Sequence, residues 1–112
     1  MNKTEEKVGD FLANYFKVEY ETPLIIKDKR GYVRIWYPDF YLPQLGLFVE
    51  VAPFEKESDE DKAEAYNNEH KPVIWIKHYQ IEKGWKRYLI GALRNQCEKK
   101  LEVIEKFLDD VY

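Results

Sequence analysis

Apolar residues recur at two different periods along this chain, and the changes of period mark out its elements. Val8, Phe11, Leu12, Tyr15 and Phe16 stand at i, i+3, i+4, i+7 and i+8, which lays one stripe along a helix. The spacing predicts a helix over 4–16, with Thr4 as its N-cap and Glu5 and Glu6 in the first turn, where the dipole favours acids. At about 100° per residue Glu5 falls within the range of the stripe and Glu6 on the far side. Glu5 is thus the first-turn acid aimed at the rest of the domain, although dipole complementation alone would also account for it.

From Val18 the composition turns to the β-branched and aromatic residues that suit a pleated surface. Val18–Ile26 reads as a strand with an edge position at Pro23, and Lys27–Gly31 as a polar turn. Tyr32–Leu42 and Leu47–Ala52 read as the second and third strands, joined through Pro43-Gln-Leu-Gly46. One face of this pair carries Trp36, Phe40, Leu42, Leu47, Val49 and Val51, apolar enough to pack on helices. Pro53–Glu57 leaves the sheet as a loop, and Ser58-Asp-Glu-Asp61 opens a helix that runs to about Glu69. The unbroken apolar run in Pro72–Lys77 predicts a fourth strand buried on both faces. Strand, helix and strand in this order favour a right-handed crossover, with strand four parallel to strand three.

From about Glu82 to Asp110 the period is helical again, with Trp85, Leu89, Leu93, Cys97, Leu101, Ile104, Leu108 and Val111 at steps of three or four. A continuous helix of that length spans roughly 40 Å, more than so small a core can cover. It is expected to break, with Gly91 the weak point, to fold back as a helical hairpin, or to protrude towards a second partner such as another copy.

Composition narrows the class. The chain has 112 residues, 45% hydrophobic and 35% charged, which fits one domain. Residues 1–81 form the expected core and 82–112 a helical extension packed on it or forming a dimer contact. No membrane span or signal peptide is visible, and a cytoplasmic protein is expected. The single cysteine, Cys97, excludes an intramolecular disulfide and a cysteine-rich zinc site, and reads as a packed thiol on a helix. His70 and His78 have no zinc-ligand spacing and suit surface or capping positions. The net charge of −3 is unlike that of a generic polyanion binder, so contact with nucleic acid must rest on local patches. Two are available: Lys27, Lys29, Arg30 and Arg34 near the first hairpin, and Lys86, Arg87 and Arg94 on the last helix.

The chemistry concentrates in the central hairpin. If Pro43 to Gly46 form a regular loop, Leu42 faces Leu47, and counting back places Asp39 opposite Glu50, with side chains about 4.5–5.5 Å apart at Cβ. By alternation Ile35, Tyr37, Tyr41, Phe48 and Ala52 share that face. Two carboxylates so placed repel unless one keeps its proton or both ionise around a hard divalent cation. An irregular hairpin with both acids in solvent is the simpler alternative.

Helix, three strands, helix, strand, helix, with acids on strands two and three, resembles the core of the PD-(D/E)XK nuclease superfamily. Pro38-Asp39 matches the PD element and Glu50-Val51-Ala52 the (D/E)XK element. Glu5-Glu-Lys-Val8, Tyr37-Pro-Asp-Phe40, Leu42-Pro43 and Gly46-Leu-Phe-Val-Glu-Val51 look most like junction-resolving nucleases of the phage endonuclease I type, over about residues 4–77. The resemblance implies an α/β restriction-endonuclease-like core: a helix, a three-stranded antiparallel meander, a helix, and a fourth strand parallel to the third. It further implies that Asp39 and Glu50 hold Mg²⁺ or Mn²⁺, with the Val51 carbonyl as a further ligand and Glu5 reaching the site directly or through water.

Position 52 departs from the pattern. The family has a lysine there, whose ammonium positions the attacking water and stabilises negative charge; this chain has Ala52. Three explanations stand: a deliberate Lys-to-Ala change, a migrated lysine, or a protein that binds without cutting. For migration Lys62 is the first choice and Lys56 the second. The expectation is therefore a metal-dependent DNA endonuclease acting on duplex or branched DNA as a homodimer, and disabled if Ala52 is not compensated. The alternative is a nuclease-fold protein that binds nucleic acid or another protein, and an acid/base enzyme using Asp39 and Glu50 without metal is a third possibility.

Overall fold

A computed structural model describes residues 3–28, 30–52, 73–77 and 83–111. In chain order its elements are α1 (Lys3–Ala13), β1 (Glu19–Tyr20), β2 (Leu24–Lys27), β3 (Val33–Trp36), β4 (Phe40–Leu42), β5 (Leu47–Ala52), β6 (Val73–Lys77) and α2 (Trp85–Val111). The class is mixed α/β: an N-terminal helix, sheets that combine antiparallel and parallel pairs, and a long C-terminal helix. The expected helix beginning at Ser58 lies outside the described residues, as do Lys56, Lys62, His70 and His78.

Two sheets form where one meander was expected. The main sheet has the order β1-β4-β5-β6, while β2 and β3 form a separate ribbon. The two long strands of the sequence reading are each interrupted. Pro38 lacks an N–H to extend the ladder and lies buried between β3 and β4. On the facing strand Glu21, whose N–H donates to the Asp39 carbonyl at 3.4 Å, takes a positive φ of 52° between β1 and β2. Four-residue pairing resumes beyond the break, from Leu24↔Trp36 to Lys27↔Val33.

That interruption changes which side chains share a face. Phe40, Leu42, Leu47, Val49 and Val51 form the expected apolar face, joined by Ile74 and Ile76 from β6. Val8 and Leu12 of α1 and Trp85, Leu89 and Leu93 of α2 close over it. Trp36, expected in the same layer, packs instead on the reverse of the main sheet, where Leu24, Ile26, Trp36, Phe48, Val73 and Trp75 form a second cluster. The ribbon thus covers the reverse face, and Ile35 points away from it, 53% exposed. Ile35 is not part of the face that carries the acids.

β5 and β6 pair in parallel from Phe48↔Val73 to Ala52↔Lys77, as the crossover argument expects, and β6 contributes to both clusters. Gly9 allows α1 to lie close to the sheet: a Cβ there would stand 3.0 Å from the Phe40 ring. α2 does not break at Gly91 but runs unbroken through 27 residues. Tyr88 Oη donates to the Trp75 carbonyl at 3.1 Å, and Lys100 Nζ donates to the carbonyls of Leu45 and Gly46 in the β4–β5 loop. Beyond Cys97 the helix projects, with residues 98–110 exposed. No described helix is long and apolar enough to cross a membrane.

Candidate functional site

The β4–β5 register matches the count made from the sequence: Leu42↔Leu47, Tyr41↔Phe48 and Phe40↔Val49. One step further stand Asp39 and Glu50. Asp39 lies at the bend that ends the ladder and is half-buried. Its Oδ2 accepts the N–H of Val51 at 2.7 Å, a length typical of a hydrogen bond to an ionised acceptor. The side chain therefore continues the pairing where the backbone of β4 turns away, and this fixes the carboxylate beside β5.

Glu50 is only 9% exposed, the one buried charged residue among those described. Strand alternation places it on the same face as Phe48, and its register partner on β6 is Trp75. A carboxylate in such surroundings needs polar partners, and no buried side-chain polar atom among the described residues lacks one. The Tyr41 and Phe48 rings meet at 4.5 Å between centroids, so this pair belongs to the acidic face as expected.

Glu5 is partly buried in the first turn of α1. That helix packs on the Phe40 and Val49 face, opposite the one that bears Glu50. Among the described residues no three His, Cys, Asp or Glu side chains gather in a group able to hold a metal, so Glu5 does not complete a three-acid cluster with Asp39 and Glu50. Two carboxylates and a backbone carbonyl remain as hard oxygen donors, a set that suits Mg²⁺ or Mn²⁺ and not zinc. Mg²⁺ commonly takes one or two carboxylates and fills its other positions with water and phosphate. On donor chemistry Asp39, Glu50 and the Val51 carbonyl fit such an ion. Val51 and Ala52 follow Glu50 on β5, and Ala52 is in register with Lys77 of β6.

The basic patch on the first hairpin is more committed than its sequence suggests. Arg34 Nε binds Asp28 Oδ2 at 3.0 Å, while Asp28 Oδ1 accepts the N–H groups of Arg30 and Tyr32. Desolvation raises the Asp28 pKa, but the Arg34 guanidinium and the two N–H groups outweigh it and hold the carboxyl below its usual range. Arg34 is thus an organiser of the turn, although its side chain stays 57% exposed. Lys27 and Arg30 are exposed on the same hairpin, and Lys29 lies outside the described residues. On α2, Lys86 Nζ sits over the rings of Phe11 and Trp85 at 5.4 and 5.7 Å, and Arg94 pairs with Glu98 at 3.1 Å.

Sequence reasoning missed Asp28 and Lys100. Asp28 carried a usable signal, an Asp three positions before Gly31 in a polar turn. Lys100 carried none, because its partners lie in a distant loop. No protein-family model, curated protein or solved structure matches the chain.

Proposed function

We propose that the chain is a metal-dependent endodeoxyribonuclease with a PD-(D/E)XK-like core, acting on duplex or branched DNA. The observation that carries this reading is the fixed pair of acids: Asp39 locked to the Val51 N–H, and Glu50 buried at the facing position of β5. The order of elements around it, a helix, the antiparallel pair β4–β5 and β6 parallel to β5, supports the reading. Asp39, Glu50 and the Val51 carbonyl are the groups that would hold Mg²⁺ or Mn²⁺. Such an ion, when bound, supplies charge neutralisation at the phosphate and a lowered pKa for the attacking water.

The chain's own contributions follow from its geometry. The hydrogen bond from Val51 holds the Asp39 carboxylate in one orientation, and the burial of Glu50 limits water around it. Lys27 and Arg30 stand at the ribbon turn as the exposed cations for a phosphate backbone, with Lys29 in the same turn segment of the sequence. The projecting half of α2 presents Leu101, Ile104 and Leu108, each about half exposed, as the surface on which two copies would meet and bring two sites to one duplex or junction.

Cleavage of linear duplex, single-stranded and four-way-junction DNA in Mg²⁺ and Mn²⁺ tests the reading, using the parent chain and Ala52→Lys, each with and without Asp39→Ala. Cutting that depends on Asp39 in either background is the expected result. Salt-sensitive DNA binding with no cutting by any form would favour the binding protein of the same fold.

A further inference from the structure

The β2–β3 ribbon uses only one of its faces to fold. Leu24, Ile26 and Trp36 pack on the reverse of the main sheet, and strand alternation turns Ile25, Lys27, Val33 and Ile35 the other way. On that outward face Ile25 and Ile35 are register partners, as are Lys27 and Val33. Ile25, Val33 and Ile35 are 63%, 64% and 53% exposed, and Tyr32 and Tyr37, which flank β3 at its two ends, are 62% and 59% exposed. Single exposed apolar side chains are ordinary on a protein surface, whereas a contiguous group on one face marks a contact. The turn that joins the strands is tightly held. The N–H of Asp28 donates to the Tyr32 carbonyl and that of Gly31 to the Asp28 carbonyl, each at 2.9 Å, so the face is set before any partner arrives.

The same segment is basic. Lys27, Lys29, Arg30 and Arg34 stand against Asp28 alone between Leu24 and Trp36, a net charge of +3 in a chain whose net charge is −3. Arg34 pairs with that one acid. A polyanion complements such a surface, while a second copy of it would bring two positive faces together. The strip is also narrow, two strands about 4.8 Å apart, which suits a single polymer strand better than a lipid surface. From Tyr32 to Tyr37 an extended chain covers roughly 16 Å, the length of about five bases stacked 3.4 Å apart.

We propose that the outward face of the ribbon binds single-stranded DNA. The Tyr32 and Tyr37 rings stack on unpaired bases, Ile25, Val33 and Ile35 lie against bases and deoxyribose, and Lys27 and Arg30 take phosphates. Duplex DNA keeps its base faces stacked inside and offers this surface little beyond phosphate, which leaves the apolar side chains in water. RNA would press its 2′-hydroxyls against isoleucine and valine, where they lose water without gaining a partner. Such binding requires no metal, so it is independent of the cleavage proposed above.

The test reads fluorescence anisotropy of a labelled oligothymidylate with the full chain in EDTA, so that nothing is cut. An oligouridylate and a duplex of the same length, and vesicles of phosphatidylserine and phosphatidylcholine, are compared with it. Oligothymidylate is expected to bind most tightly. Tyr32→Ala and Tyr37→Ala should each weaken it about 5-fold or more, while Tyr32→Phe and Tyr37→Phe bind like the parent. Ile25→Thr/Ile35→Thr keeps β-branching and should also weaken binding. Arg30→Ala should lower the salt slope by about 0.7. All these positions are exposed, so the urea midpoints should stay near the parent's.

A duplex bound as tightly as the single strand, with the tyrosine variants unaffected, reduces the ribbon to a phosphate contact and overturns the proposal. Tighter binding of oligouridylate assigns the face to RNA, and binding of vesicles but not oligothymidylate assigns it to lipid. Self-association lost in Ile25→Thr/Ile35→Thr, with no oligothymidylate bound, assigns it to a second copy. A parent that binds no oligothymidylate even at low salt overturns the proposal outright. Each of these results leaves the nuclease reading to be decided separately by Asp39-dependent cutting in Mg²⁺.

Discussion

The N–H of Val51 donates to Oδ2 of Asp39 at 2.7 Å, one step past the last register pair of β4 and β5. A side chain thus takes over an acceptor role at the point where Pro38 turns the neighbouring backbone away. The same contact orients a carboxylate next to Glu50, so the end of the ladder and the start of the candidate site are one feature.

Asp39→Asn and Asp39→Ala should therefore separate structure from chemistry. Asparagine keeps an oxygen for the Val51 N–H and is expected to leave the urea midpoint close to the parent's. Alanine leaves that half-buried donor without its acceptor and should destabilise the chain by about 1–3 kcal/mol. Both changes remove a negative ligand, so both should abolish calorimetric Mn²⁺ binding. Equal destabilisation by the two variants would show that charge, and not the hydrogen bond, is what holds the bend.

Local spacing made much of this legible in advance. The Pro43–Gly46 loop fixes a count that reaches Asp39 and Glu50 from the sequence, and the structure keeps that count for every pair it forms. The apolar run of β6 and the stripe of α1 as far as Leu12 are equally direct consequences of period, but the helix ends at Ala13, so Tyr15 and Phe16 lie beyond it and Tyr15 is 66% exposed. What the sequence concealed is long-range. Pro38, with no N–H for the ladder, is a local signal that Tyr32–Leu42 breaks, but nothing local shows that the break swings Trp36 to the reverse face, because alternation reads the same on either side of it. The register of Lys77 against Ala52 depends on the crossover between β5 and β6, whose length leaves it undetermined. Helix propensity marks Gly91 as a weak point, yet it sits within the part of α2 held down by Leu89 and Leu93, where burial offsets its roughly 1 kcal/mol helix penalty.

Gly9 offers a test of how tightly α1 meets the sheet. A Cβ at this position would lie 3.0 and 3.2 Å from two atoms of the Phe40 ring and 3.8 Å from Tyr20. Phe40 is fully buried, so its ring has little room to yield. Alanine gains up to about 1 kcal/mol in helix propensity, but overpacking costs about 1–3 kcal/mol. Gly9→Ala is expected to lower the thermal midpoint by a few degrees and Gly9→Val by considerably more. A Gly9→Ala protein more stable than the parent would place α1 further from Phe40.

Asp28 sets a dependence on pH. Its folded-state pKa is held below the unfolded value, chiefly by Arg34 and the Tyr32 and Arg30 N–H groups acting against desolvation. The stability it confers is therefore fully present above the unfolded pKa, near pH 4, and is lost as pH falls through the folded one. Asp28→Asn should lower the urea midpoint at neutral pH, and the gap from the parent should close on acidification below about pH 4. A gap that stays constant down to pH 2 would mean that the ionised carboxylate is not what orders the turn.

The projecting half of α2 carries the last prediction. Cys97, Leu101, Ile104, Leu108 and Val111 alternate steps of four and three, the repeat of a helix that winds on a partner helix. Leu101 and Ile104 are each 54% exposed, Phe107 is 64% and Leu108 46% exposed, a continuous apolar stripe on a helix whose base is anchored by Trp85, Leu89 and Leu93. Lys100, bonded to the Leu45 and Gly46 carbonyls, holds the start of that stripe against the β4–β5 loop. Sedimentation equilibrium of the parent should show a dimer that dissociates on dilution. The double change Leu101→Lys/Ile104→Lys should weaken the dimer by at least 100-fold while leaving the urea midpoint of the monomer unchanged, because both positions lie beyond the buried core. A parent that stays monomeric at the highest attainable concentration would remove self-association as the use of this stripe, and with it the arrangement of two sites on one DNA molecule.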